Sequence, residues 1–342
     1  MVLKNIESEL VEDGEDGFVY PHYNGYSLAN VPNTVMELLG SKTQRKTLNK
    51  RAYASADIDG IERVVLFVVD GLGYNMWLDT AKGSGLMQAF KKHGSVQPIT
   101  TVFPSTTAAA ITTINTGLTP LEHGLLEWTL YLEEVGMTVH PLPFTVLSKR
   151  RESLYEKGVD PKILYNGNTV YQAMGREGIT SATLTGKHIS GTAYNRLIQK
   201  GSERMPYTSQ VDMLIKVRKA LENPRGPEYI NAYVEAVDTM THAYGPYTEE
   251  SREEISVLLY LIEKLLVKKI SRSAARKTLM LMIADHGHIK TDPSKTVYLN
   301  KYKGIERYYA KGKAGEFIGC TLPCFLNACM SPEPFAVSSH ML

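Results

Sequence analysis

The chain has 342 residues, 43% of them hydrophobic and 22% charged, with a formal net charge of +2. That length supports a large core and one or two domains, and the near-neutral charge gives no reason to expect a nucleic acid or an anionic membrane as partner. No apolar run approaches the ~20 residues needed to span a bilayer, and the acidic N-terminus lacks the apolar core of a signal peptide, so a cytoplasmic location is expected.

Residues 1–60 are polar and rich in turn formers. They read as a decoration packed on a later core, with a loop at 21–27 and a short helix over 33–39 closed by Gly40. Residues 61–342 read as one domain. Its first strand, 63–69, is a continuous apolar run of the kind covered on both faces of a parallel sheet. Gly71 and Gly73 then turn the chain, and a short helix over 86–92 ends at Gly94. Residues 104–117 lead a hydroxyl cluster into alanines, which predicts a helix N-terminus capped by Ser105 or Thr106. Residues 128–165, with Pro141, Pro143 and the basic Lys149, Arg150 and Arg151, read as a surface excursion. A helix over 169–174, a strand over 180–184, a helix over 211–221 and a strand over 229–234 follow. A long amphipathic helix over 249–270 precedes the last strand, 279–284. Helices alternating with buried strands predict a doubly wound α/β fold, with a mostly parallel sheet and helices on both faces.

Acidic residues or imidazoles stand at three strand ends. Asp70 directly follows the first strand. Asp238 and His242, four apart, share one face of a helical turn after the strand at 229–234. Asp285 and His286 end the last strand, where Gly287 gives the backbone freedom for both to reach one ion, and His288 is a further imidazole nearby. Each feature alone has a plainer reading as a helix cap or a surface histidine. Together they sit where open α/β sheets place their active sites. Carboxylates gathered there repel one another unless cations neutralise them. A metal site for more than one ion is therefore expected. Mixed oxygen and nitrogen ligands suit zinc, manganese or iron better than calcium. The hydroxyl cluster offers a nucleophile, and a helix N-terminus favours an anionic substrate beside it. Cys320, Cys324 and Cys329 make an odd count at no standard zinc spacing and read as reduced, incidental thiols.

The pieces occur in a recognisable order: Val69-Asp70-Gly71, the Thr-rich Phe-Pro turn at 101–107, Thr116-Gly117, Pro120 to His123-Gly124, Asp238 to His242-Ala-Tyr-Gly-Pro246, and Asp285-His286-Gly287. The set resembles the alkaline phosphatase superfamily, and within it the type I phosphodiesterase/nucleotide pyrophosphatase branch. That resemblance implies an alkaline-phosphatase-like domain acting as a metal-dependent phosphoesterase through a covalent phosphothreonine. The expected substrate is a small phosphate ester or a nucleotide. The family places its nucleophile ten residues before the glycine of the Thr-Gly pair. This implies Thr107, with Thr106 as the alternative, since position 102 is Val102. It further implies two divalent ions, zinc first and manganese second. One would be held by Asp70, Thr107, Asp285 and His286, the other by Asp238, His242 and a late histidine. No Gly-x-His-Gly segment follows Asp285, so the third ligand of the second ion falls by expectation on His340. Trp128 occupies the position of a family Asn that contacts the phosphoryl group, and an indole cannot supply both functions of an amide. A phosphomonoesterase of the same superfamily, or an inactive relative that binds metal or anion, are the alternatives.

Overall fold

Strand β1 (Arg63–Val69) runs through the middle of the molecule, and residues 64–69 are each at most 1% exposed. Val64, Leu66 and Val68 belong to one apolar cluster, and Val65, Phe67 and Val69 to another. The two-residue period of a strand sends these sets to opposite faces of the sheet. That explains the unbroken apolar run: both faces are covered. Truncating Phe67 to alanine in such a site costs about 3–5 kcal/mol. The computed structural model describes residues 10, 19–54, 56, 58–148, 152–292 and 294, with two-residue strands at 310–311 and 317–318. The three cysteines and His340 lie outside the described residues.

The main sheet joins β1 to β5 (Ser181–Leu184), β6 (Glu203–Arg204), β7 (Tyr229–Val234) and β8 (Thr278–Ile283), in the order β6-β5-β7-β1-β8 with every pairing parallel. Helices Asn30–Leu38, Thr107–Thr116, Val170–Gly175 and Ala193–Ile198 cover one face through Val35, Ile114, Tyr171 and Ile198. Helices Tyr74–Thr80, Gly85–His93, Gln210–Glu222 and Glu249–Ile262 cover the other through Met76, Leu86, Leu214 and Leu258. This is the doubly wound arrangement expected. The register sets the site. Val69 pairs with Val234 and Val68 with Ile283, so Asp70, Glu235 and Asp285 emerge level at the C-terminal edge of three adjacent strands.

Residues 130–146 form a small antiparallel meander, β2 (Leu130–Leu132), β3 (Met137–His140) and β4 (Thr145–Val146). Its Val139 and Phe144, with Leu154, are buried in the same cluster as Leu66. In the N-terminal stretch, Leu28, Val31 and Val35 join that cluster too, and Asn33 Nδ2 donates to the Gly117 carbonyl at 3.2 Å. One expectation needs correcting. The helix foreseen over 249–270 keeps α geometry only over Glu249–Ile262 and then widens into a π turn over Glu263–Val267. No Gly or Pro between 249 and 270 marks the change, and a π turn barely disturbs the apolar periodicity. No described helix is long and apolar enough to cross a membrane.

Candidate metal centre

Three strand ends and one helix start converge at the C-terminal edge of the sheet. Asp70 ends β1 and is 4% exposed. Asp238 sits in the first turn of the helix Ala236–Tyr244 that follows β7, and His242 in its last turn. Asp285, His286 and His288 follow β8, and Asp285 is fully buried. Thr107 is the first residue of its helix.

The hydroxyls there have divided roles. Thr106 Oγ1 accepts from the Ala109 N–H at 3.2 Å as the N-cap and donates to the Leu126 carbonyl at 2.7 Å. Its hydrogen-bonding capacity is committed to the fold. Thr107 Oγ1 instead faces the cluster, 3.1 Å from His286 Nε2.

His286 Nε2 also lies 3.3 Å from Asp70 Oδ1, 3.6 Å from Asp285 Oδ2 and 4.0 Å from Asp238 Oδ1. Asp285 is held from behind: its Oδ1 accepts from the N–H groups of Gly71 at 3.0 Å and His286 at 2.9 Å. Tyr233, on β7, donates its hydroxyl to Asp70 Oδ2. His242 Nε2 and His288 Nε2 approach Asp238 Oδ1 at 3.4 and 3.1 Å. Ligand atoms of Asp70, Asp238 and His286 fall within 4.8 Å of one another, as do those of Asp238, His242 and His288. Asp238 is common to both groups.

Six of the seven residues expected from the sequence can be placed. Asp70, Thr107, Asp285 and His286 meet on one side of the cluster, and Asp238 and His242 on the other. His340 lies outside the described residues. Two contributors carried no such role in the sequence reading. Tyr233 reads there as one more apolar-strand aromatic, and His288 as a further imidazole near the site with no assigned ion.

The electrostatics call for positive charge. Burial, reinforced by Asp70, pushes the Asp285 carboxyl well above the usual carboxylate range. Burial alone would depress His286, but Asp285, Asp70 and Asp238 overcome it and raise the imidazole to about 10. Burial would raise Asp238 as well, yet His288, His242 and His286 draw it below its ordinary value. Burial and the neighbouring Asp70 hold Tyr233 well above 10, so it stays a hydrogen-bond donor. Asp70 Oδ1, Asp238 Oδ1, Asp285 Oδ2 and His288 Nε2 are buried and make no hydrogen bond to protein. Four such atoms aimed inward cost free energy unless something satisfies them. Divalent cations fit that donor set of carboxylate oxygens and imidazole nitrogens.

The family profile of type I phosphodiesterase/nucleotide pyrophosphatase matches residues 64–325. The chain belongs to this family. Among curated relatives, it is 21% identical over 260 residues to venom phosphodiesterase 2 of Crotalus adamanteus, covering 73% of the chain and 30% of that protein. It is 23% identical over 207 residues to human ectonucleotide pyrophosphatase/phosphodiesterase family member 1, covering 59% of the chain and 21% of that protein. The chain thus spans less than a third of the length of these relatives. Among solved structures, human ectonucleotide pyrophosphatase/phosphodiesterase 5 superposes with a TM-score of 0.55 at 20% identity, over 72% of this chain and 62% of that one. An inactive form of the murine protein, in complex with AMP, gives a TM-score of 0.53 at 17% identity over 72% and 63%. These likenesses confirm the family's fold: a mostly parallel sheet flanked by helices.

Proposed function

We propose that this chain hydrolyses phosphodiester or pyrophosphate bonds in small phosphate esters, nucleotides among them, with Thr107 as nucleophile. The observation that carries the reading is the placement of the Thr107 hydroxyl at a helix N-terminus, 3.1 Å from His286 Nε2, which itself lies 3.3 Å from Asp70 Oδ1. The capping work falls to Thr106, which supports Thr107 over its neighbour. Family membership supports the reaction class, and the AMP bound to the murine neighbour supports a nucleotide as one substrate type.

Asp70, Asp285 and His286 would hold one ion beside Thr107, and Asp238 and His242 would contribute to the other. Bound divalent cations, zinc by preference, lower the pKa of a nearby hydroxyl and neutralise phosphoryl oxygens. The residues do the rest. Thr107 Oγ attacks phosphorus, forming the Oγ–P bond as the bond to the leaving oxygen breaks. Water then cleaves the phosphothreonine and restores the hydroxyl. Positive potential at the helix N-terminus favours the phosphoryl group in this position. Tyr233 fixes the Asp70 carboxylate, so the ligand set is oriented before substrate arrives.

The test compares hydrolysis of an aryl phosphodiester and an aryl phosphomonoester by the wild type and by Thr107→Ala, with zinc and with manganese. Diester preference in the wild type, lost by about 10³-fold or more in Thr107→Ala with metal content unchanged, is expected for a covalent nucleophile. Undiminished turnover in Thr107→Ala would sink the assignment. Monoester preference would move the reading to a phosphomonoesterase, an outcome made concrete by Trp128 at the family's Asn position.

A further inference from the structure

The second ligand group has an imidazole that the family order does not supply. We propose that His288, two residues beyond the first ion's histidine, is the third protein ligand of the second divalent ion, with Asp238 and His242. The proposal rests on the two-ion reading above and adds to it a ligand that stands next to the Asp285-His286 pair.

The His288 ring is already oriented as a ligand. Its Nδ1 lies 3.1 Å from the Gly71 carbonyl, which can only accept, so Nδ1 carries the proton. Nε2 then presents its lone pair. That nitrogen lies 3.1 Å from Asp238 Oδ1, and both atoms are buried with no hydrogen bond to satisfy them. A cation held between them would satisfy both atoms at once. A backbone carbonyl behind the distal nitrogen is also the usual device for fixing the tautomer of a metal-bound histidine.

The spacing suits one small ion. Donors around a tetrahedral zinc, with bonds of ~2.0–2.1 Å, stand ~3.3 Å apart. Here Asp238 Oδ1 is 3.1 Å from His288 Nε2 and 3.4 Å from His242 Nε2, and all three atoms lie within 4.8 Å of one another. Three protein ligands leave a fourth position for water or substrate, the pattern of catalytic rather than structural zinc. The His242 and His288 rings meet edge to face, with centroids 5.4 Å apart at 85°, so the nitrogens converge without the rings stacking.

The backbone has made room for this imidazole. A Cβ on Gly71 would come within 2.4 Å of His288 Cε1 and 3.1 Å of Asp238 Oδ1. A side chain there would expel the ring from the space between Gly71 and Asp238. The strand-end turn that delivers Asp70 therefore also seats His288.

The experiment is metal analysis and zinc titration of the full chain as wild type, His288→Ala, His288→Asp and His340→Ala. Each is checked for folding by circular dichroism in chelator. The expected result is two ions in the wild type and in His340→Ala, and one retained ion in His288→Ala. The second ion's affinity should fall on the order of 100-fold or more, since losing a ligand exceeds the 10–100-fold cost of losing an outer partner. His288→Asp, which keeps a ligand atom, should recover part of that affinity. In the wild type, zinc should protect both His242 and His288 from carbethoxylation, read by peptide mass mapping. Two tightly held ions in His288→Ala, or a His288 that stays reactive with two ions bound, would overturn this proposal and leave the two-ion reading standing. A wild type that binds fewer than two ions would overturn both.

Discussion

Thr107 Oγ1 and His286 Nε2 stand 3.1 Å apart across 179 residues of sequence. The contact exists because Asp285 leaves β8 level with Asp70 leaving β1, while the helix that begins at Thr107 packs on the same sheet. The proposed nucleophile and the proposed ligand imidazole thus stand at the start of a helix and just past the end of a strand on the same sheet, which limits how far either can drift from the other.

Tyr233 tests how tightly the ligands are held. Its hydroxyl is the donor to Asp70 Oδ2, and Asp70 Oδ1 faces His286. In Tyr233→Phe the carboxylate keeps its charge but loses the bond that aims it. Zinc affinity at the Thr107 side should fall about 10–100-fold, as expected for an outer partner. Competition against a chromophoric chelator measures this, and unchanged affinity would remove Tyr233 from the centre.

Chelation should destabilise the folded chain. Asp70 and Asp285 are buried beside one another, and their inward oxygens make no hydrogen bond to protein. Ions that bind only the folded state add stability by mass action, about 3 kcal/mol per site when free zinc is a hundredfold above its Kd. The melting temperature should drop in EDTA and climb with added zinc, in proportion to the logarithm of its free concentration. A melting curve indifferent to zinc would contradict the metal centre.

A second histidine gives a pH signature separate from the metals. His123 is 6% exposed beneath the Thr107–Thr116 helix; its Nδ1 accepts from the Leu125 N–H at 3.1 Å and its Nε2 pairs with Thr113 Oγ1 at 3.1 Å. Burial lowers its pKa from 6.5 to about 4. The unfolded chain therefore binds this proton more readily than the folded one. The stabilising effect is complete above the unfolded pKa of 6.5, and it is lost as pH falls through about 4. The span amounts to about 3 kcal/mol. Urea unfolding between pH 7 and pH 4 should show this loss in the wild type and a flatter dependence in His123→Gln. Equal slopes would mean that His123 titrates normally.

Local pattern made most of the fold readable. The run at 63–69 and the shorter one at 229–234 became β1 and β7 with those bounds, because strands covered on both faces carry the apolar signal in every residue. A cap at Ser105 or Thr106 was likewise legible from hydroxyls leading into alanines, and Thr106 is the one that takes it. The acidic strand ends were visible as well, since each follows its own apolar run. The partners of these residues were hidden by distance along the chain. Tyr233 reaches Asp70 across 163 residues, and His288 reaches Gly71 across 217. A tyrosine inside a strand looks like core, and a histidine after Asp-His-Gly is visible as a nearby imidazole but not as the ligand of a particular ion. Only the register of β1 against β7 and β8 gives either one its neighbour.

Gly71 concentrates that dependence in one residue. Its φ of 71° is in the left-handed region, and a Cβ would meet His288 Cε1 at 2.4 Å. Gly71→Ala therefore combines two costs: backbone strain of about 1 kcal/mol, and displacement of the imidazole from Asp238. Gly136 separates them. It has a similar φ of 61°, but a Cβ there meets nothing within 4 Å. Gly136→Ala should lose about the same backbone term and keep both ions. Gly71→Ala should lose that term and also the ion shared by Asp238, His242 and His288, seen as one fewer zinc per chain after dialysis. If both variants keep the same zinc content, His288 is not held in place by the space above Gly71, and the seat of the second ion lies elsewhere.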